Sequence, residues 1–317
     1  MNKLAAIGFA VAVMACSLSL SACDGGLKFD PDQAAYKQFS GERALSYVQA
    51  QTDIGVRGAG SEKLKKTQRY LQQVLEQWGW QVQAQVFKNK TPQGEVEFVN
   101  LRVRYAGSQP AADLWTRPVA GLVVSHYESK KFSEFEFVGA NDPGSSVAVL
   151  LEMARVLAQR PEAAARIELV FFDGEEAFVD YSDTDGLYGS RYYAESLSQW
   201  SEKTRPQWGL LLDMVGDHDL AIRVPRDSPA PLVEKLFAAA EDAGLRKYFG
   251  MGSQRITDDH VPLNKAGVPT LDIIDMEYAY WHTPGDTVDK LSAESLETVG
   301  KVTLLMIEKY LLDKSEL

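Results

Sequence analysis

Between residues 167 and 172 the chain reads Ile-Glu-Leu-Val-Phe-Phe, an apolar run with one charge near its start, and Gly174 bounds it. A run of that length predicts a buried strand. Residues 119–125, 208–214 and 268–274 are runs of the same kind, and 220–224 is a shorter one. Earlier in the chain the pattern alternates. Trp80, Val82, Ala84 and Val86 fall on one face of 80–87, residues 96–105 alternate again, and 89–94 between them reads as a turn. That pair predicts a hairpin. Helical spacing places Ala35, Phe39, Leu45 and Val48 on one face of 32–52. It does the same for Leu64, Tyr70, Leu71, Val74, Leu75 and Trp78 in a helix capped by Ser61 and ended by Gly79. Further helices are expected over 147–158, 187–197, 229–243 and 292–312, with a helical turn at 258–263. Strands and helices alternate from residue 119 onward, behind a hairpin. This predicts an α/β fold, a single domain with a central mixed sheet and helices on both faces.

The first 22 residues do not fit that domain. Lys3, an apolar stretch over 4–15 and Leu20-Ser21-Ala22-Cys23 have the form of a bacterial lipoprotein signal, with Cys23 the lipidated first residue of the mature chain. The expected protein is exported and lipid-anchored on the extracytoplasmic side of a bacterial membrane. The expected division is a leader over 1–22, a tether and N-terminal helix over 23–58, and the main domain over 59–317. The other cysteine, Cys16, lies in the leader, so no disulfide and no cysteine ligand are expected in the mature chain. With 317 residues and 45% hydrophobic content, the chain is long enough for one large core or two domains. Its net charge of −11 becomes −12 once Lys3 departs with the leader, a surface that disfavours nucleic acid. Residues 55–60 are glycine-rich, but they lack the spacing and the preceding strand of a phosphate loop.

The chemistry gathers where strands end. Asp173, Glu175 and Glu176 follow the strand at 167–172, and ligands of open α/β sheets bind at that edge. Like charges on adjacent residues raise one pKa unless a cation absorbs the charge. A metal on one glutamate and a proton shuttle on the other would account for the pair; a solvated acidic turn is the plain alternative. His126 follows the strand at 119–125, Asp142 precedes a helix start, Asp213 lies near the end of the strand at 208–214, and His282 sits in the loop after the last strand. Imidazoles and carboxylates converging on one edge suit zinc, which needs three protein ligands and an open position for catalysis.

Seven motifs then carry a resemblance: SHYES at 125–129, GANDPGSS at 139–146, FFDGEEAF at 171–178, DGLYGSR at 185–191, LLLDMVGD at 210–217, DDHVP at 258–262 and YWHT at 280–283. Over roughly residues 60–315 the sequence resembles the zinc-dependent exopeptidase superfamily, which contains the bacterial di-zinc aminopeptidases and the animal-type glutaminyl-peptide cyclotransferases. The aminopeptidase likeness implies two zincs, one on His126 and Asp213, one on Glu176 and His282, bridged by Asp142, with Glu175 as general base. The cyclase likeness implies one zinc on Asp142, Glu176 and His282. Glu175 then moves protons, Asp213 and Asp258 form a hydrogen-bonded carboxylate pair, and Trp281 and Tyr181 wall the substrate pocket. Asp258 in DDH, the AF and long loop after the glutamate pair, and Trp281 before His282 favour the cyclase. The substrate implied is then an N-terminal glutamine of a peptide or protein. Glu128 departs from the usual His-x-Asp pattern, which bears on how His126 is oriented.

Overall fold

The structure is a computed structural model that describes residues 27–107 and 112–313. The leader, Cys16 and the lipidation candidate Cys23 lie outside the described residues. Two long strands, β1 (Trp80–Thr91) and β2 (Gly94–Tyr105), form the expected hairpin, in register from Trp80 against Tyr105 to Thr91 against Gly94. Four further strands complete the sheet: β3 (Gly121–His126), β4 (Ile167–Phe172), β5 (Trp208–Asp213) and β8 (Thr270–Ile274). The order is β1-β2-β4-β3-β5-β8; the last four are mutually parallel and β2 runs antiparallel to β4. The sheet is therefore mixed, as the sequence pattern requires.

Alternation within each strand sends side chains to two helical layers. Val123, Leu169, Leu210 and Leu271 join one core with residues of α1 (Gly41–Ile54), α3 (Gly144–Leu157) and α8 (Ala293–Leu305). Leu122, Val124, Val170, Phe172 and Leu211 pack the other way, on Tyr193, Ala194 and Leu197 of α5 (Tyr188–Leu197) and Leu263 of α7 (His260–Lys265). Every residue of α3 except Arg155 is buried, so α3 is a central helix whose register fixes the loop before it. The remaining elements are α2 (Glu62–Glu76), the single turn α4 (Pro161–Ala164), α6 (Ala230–Asp242) and a small parallel pair, β6 (Ile222–Val224) with β7 (Phe249–Met251). The sequence pattern gave no sign of α4 or β7, each too short to show a period.

The helix expected over 32–52 is a correction. The chain makes two 3₁₀ turns, Pro31–Gln33 and Ala35–Gln38, and α1 begins only at Gly41. Acidic side chains from other elements account for the break. Glu308 accepts from the Ala35 N–H at 2.9 Å, Glu152 from Ser40 at 3.1 Å and Glu297 from Gly41 at 3.1 Å. These donors have partners outside the segment, so a continuous helix has no advantage there. Ser40 then caps α1 through the Arg43 N–H. Ala35, Phe39, Ala44 and Val48 belong to the main core, which makes this segment part of the domain's packing. The expected helix over 292–312 holds to Leu305 and continues as a π-helical turn, Met306–Leu311.

Candidate active site

The chain reaches β4 from β3 through α3, then steps back across β3 to β5. The crevice at that reversal, between the carboxyl ends of β3 and β5, is where an open α/β sheet offers a site. His126 ends β3 and Asp213 ends β5, one on each side of it. Asp142 lies two residues ahead of α3. Glu175 and Glu176 follow β4 around Gly174, at φ +77°, where a Cβ would fall 2.5 Å from the Phe98 ring. The turn is pinned from behind: Tyr188 N–H donates to Gly174 O and Leu187 N–H to Glu175 O, both at 2.7 Å. Leu187, Met214 and His282 carry positive φ without being glycine. Each sits in a segment feeding the crevice, as expected where packing over-determines a strained site.

His282 Nε2 lies 3.3 Å from Asp142 Oδ2 and 3.0 Å from Glu176 Oε1. His126 Nε2 lies 3.1 Å from Asp142 Oδ1 and 3.3 Å from Asp213 Oδ1. Asp142 thus faces one imidazole with each oxygen. Burial alone would depress His282, but Asp142 and Glu176 outweigh it and push the ring up to about 9. Tyr181 Oη donates to both oxygens of Glu175, at 2.9 and 3.0 Å. Burial and then the charges of Glu175 and Glu176 hold that phenol well above its ordinary value, so it stays a donor. Burial also raises Glu175, with Glu176 adding to the effect and His126 opposing it. A cavity of about 710 Å³ opens over Asp142, Glu175, Glu176, Asp213, Asp258 and His282, with Tyr181 and Trp281 in its wall.

The sequence candidates therefore meet. Asp142, Glu176 and His282 offer ligand atoms within 4.8 Å of one another, and so do His126, Asp142 and Asp213. A further grouping joins His126, Glu128 and Glu175. One imidazole with two carboxylates, nearly enclosed yet lining a cavity, fits zinc with a position left for substrate. His126 is fully buried and does not line the cavity. Among the described residues its Nδ1 has no hydrogen-bond partner, and Glu128 stands 3.8 Å away while its other oxygen accepts the Glu176 N–H at 3.0 Å. The longer side chain at 128 thus supports the glutamate turn more closely than the imidazole. Trp281 stacks on His282 with ring centroids 4.3 Å apart, and is 41% exposed. Asp258 is buried; one oxygen accepts the Asp259 N–H and the other receives no donor among the described residues. Burial raises its pKa well above the usual range, with Asp272 and Asp213 adding to it.

Three residues that the sequence did not single out complete the site. Lys130 Nζ contacts Glu176 Oε2 at 3.0 Å and the Ala177 carbonyl at 2.8 Å. Arg57, fully buried in the glycine-rich turn, donates to Val138 O at 2.7 Å and Gly139 O at 3.0 Å. Asp286 accepts the N–H groups of Asn141 and Asp142 at 2.8 and 3.1 Å and the Tyr278 hydroxyl at 2.8 Å. It follows His282 by four residues, so one loop supplies a candidate ligand and holds the backbone of another. Asp286→Ala should leave those buried donors unmet, cost about 1–3 kcal/mol in urea unfolding and weaken zinc binding about 10–100-fold in a chelator competition. Unchanged zinc affinity would mean that Asp286 serves the loop alone.

A profile of peptidase family M28 matches residues 100–307. The chain is 31% identical over 271 residues to a glutaminyl-peptide cyclotransferase of Boiga irregularis, covering 74% of this chain and 72% of that protein. Among solved structures, an Acidobacteriales bacterium glutaminyl cyclase shares 35% identity with a TM-score of 0.75, over 85% of this chain and 94% of the other. A Zn-dependent exopeptidase from Parabacteroides distasonis superposes with the same score at 28% identity, over 85% of this chain and 98% of its own.

Proposed function

The chain belongs to peptidase family M28, and we propose that it is a zinc-dependent glutaminyl-peptide cyclotransferase, converting N-terminal glutamine of peptides or proteins to pyroglutamate with release of ammonia. The observation that carries this reading over hydrolysis is that Asp142, Glu176 and His282 line the cavity while His126, the second-metal candidate, is fully buried and does not. Glu176 faces His282 as a candidate ligand, while Glu175 turns to Tyr181 and the cavity. The cyclotransferase and glutaminyl cyclases to which the chain is similar support it.

Asp142, Glu176 and His282 would hold the ion, because all three line the cavity and His126 does not. Zinc bound there supplies Lewis acidity to the γ-carbonyl of a glutamine side chain. Asp213 holds the substrate's α-amine, with Asp258 beside it, and Trp281 and Tyr181 wall the pocket. Glu175 accepts a proton from the α-amine as its nitrogen bonds to the γ-carbonyl carbon. The bond from that carbon to the amide nitrogen then breaks, and Glu175 returns the proton to the nitrogen that leaves as ammonia. The attack is intramolecular, so holding the two ends of one residue supplies much of the acceleration. Water has no part in the bond changes.

The second reading, a two-zinc aminopeptidase, is favoured by the family's peptidase members and by the grouping of His126 with Asp142 and Asp213. One experiment separates the two. The purified protein is given a Gln-initiated and a Leu-initiated peptide, and zinc per chain is counted on the same sample. Pyroglutamate without free leucine, at one zinc, is the expected outcome. Rapid leucine release at two zincs would replace the cyclase reading with the peptidase one.

A further inference from the structure

The first described residues are fastened to the edge of the sheet opposite the catalytic one. α3 starts beside Asp142 and carries the chain from the end of β3 back to the start of the parallel strand β4. Its last residues and the turn α4 therefore lie at the amino ends of the strands. The entering chain is tied to that corner. Leu27 bridges Asp313, Phe29 N–H donates to Asp313 Oδ2 at 2.9 Å, and Arg160 donates to Gln33 O. Arg166, the residue before β4, donates to Leu312 O at 3.3 Å. Leu27, Phe29, Ala163 and Leu312 fill the space between with apolar contact. The cavity opens at the other edge, separated by the 14 residues of α3, a length of about 21 Å.

Resting on a lipid at Cys23 for the anchor and on the cyclase reading for the chemistry, we infer that this corner faces the lipid surface and the catalytic cavity points away from it. The substrates are then Gln-initiated chains free in the aqueous compartment, and N-termini lying at the bilayer surface are excluded. Cys23 precedes Leu27 by four residues, which reach at most about 14 Å. A compact domain of this length has a radius of about 24 Å, so turning its far side to the bilayer takes a path of about 75 Å. The tether allows tilting but not inversion. Charge does not set the orientation, because the exposed groups of the corner, Lys28, Asp32, Lys37 and Glu162, are of mixed sign. The point of attachment sets it.

The test uses the full chain, lipidated by the expressing cell and reconstituted in phosphatidylcholine vesicles. Cys16 leaves with the leader and the lipid occupies Cys23, so one added cysteine is the single thiol to label. Glu162→Cys places a fluorophore at the tethered corner and Val179→Cys places it beyond the catalytic turn; both side chains are exposed. Energy transfer to acceptor-labelled headgroups should be about fivefold greater from position 162, which lies a helix length nearer the lipid. Equal transfer, or more from position 179, overturns the orientation. Protein that stays off the vesicles sinks the lipid anchor instead. The same vesicles then receive a Gln-initiated peptide, either free or fixed to a lipid through a short C-terminal spacer. The free peptide should be cyclised with a kcat/KM at least about tenfold higher, since a spacer that cannot span to the cavity gives no effective concentration there. Equal cyclisation of the two overturns the substrate assignment. Cyclisation of neither sinks the cyclase reading, a result distinct from the others.

Discussion

Glu175→Gln leaves the protein folded and zinc-loaded and lowers kcat by about 10²–10⁴-fold, the share of a rate that a positioned acid–base group supplies. The change keeps the shape of the side chain and an oxygen for the Tyr181 hydroxyl, which approaches Glu175 Oε1 at 2.9 Å. What it removes is the capacity to take up a proton and give it back, and cyclisation uses both steps. The metal should be unaffected, because the ligand atoms that line the cavity together belong to Asp142, Glu176 and His282. Glu176→Gln is the contrast. It removes a charge from the trio and takes away the counter-charge that Lys130 meets at 3.0 Å, so it should lose zinc and activity together. Metal analysis beside steady-state kinetics reads both variants. A Glu175→Gln protein that lost its zinc would exchange the roles of the two glutamates, and the proton-transfer scheme would fail with them.

The parts of this site that were legible in the sequence share one property: each ends a buried strand or starts a buried helix. Periodicity located β3, β4, β5 and β8 to within two residues, and an open parallel sheet puts their carboxyl ends on one edge. His126, Glu175, Glu176 and Asp213 follow from that geometry, and Asp142 from its place before α3. His282 is different. It lies in a loop eight residues beyond β8, where no periodicity reaches; its place after the last strand made it a candidate, and the resemblance of YWHT to a known motif gave it a ligand's role.

The residues that were not legible work through backbone groups far away in the chain. Arg57 holds the carbonyls of Val138 and Gly139, some eighty residues on, and Asp286 reaches back to the N–H groups of Asn141 and Asp142. Hydrophobic periodicity does not encode such a bond. A weak signal did exist: an arginine inside a glycine-rich turn and an aspartate four residues after a candidate ligand are both poor choices for plain solvent loops. The break at residues 34–40 was hidden for the same reason, because the acids that take up its N–H groups, Glu152 and Glu308, come from other elements. Glu128 shows the limit from another side. The sequence marked it as a departure, and geometry was needed to see that it supports the Glu176 N–H.

Glu168→Ala should be the most damaging single change to the fold, lowering stability by about 3–5 kcal/mol and Tm by roughly 6–15 °C. Glu168 is the one charge of β4 and is fully buried. It accepts from Arg102 at 2.7 and 3.1 Å, from the Arg104 guanidinium, and from the Tyr193 hydroxyl at 3.1 Å. Truncation leaves one guanidinium nearly enclosed and another half-enclosed without their counter-charge. Such a pair is costly to break even where its net contribution to folding is small. Burial alone would raise Glu168, but Arg102 and then Arg104 outweigh it and hold it below its ordinary value. The sign follows: this stabilisation is complete above the ordinary carboxylate range and is lost as pH falls through the depressed folded value. Wild type and Glu168→Ala should therefore converge in stability in acid and separate toward neutrality. Replacing Arg102, Arg104 and Glu168 together by apolar residues should recover only part of the loss, because Arg104 also donates to the carbonyls of Leu114 and Arg117. The folded fraction of Glu168→Ala should keep its kcat within about twofold, since Gly174 and the Tyr188 and Leu187 N–H groups hold the catalytic turn independently of the strand's far end. A loss of kcat matching that of Glu175→Gln would mean that strain in β4 travels its full length to the glutamates.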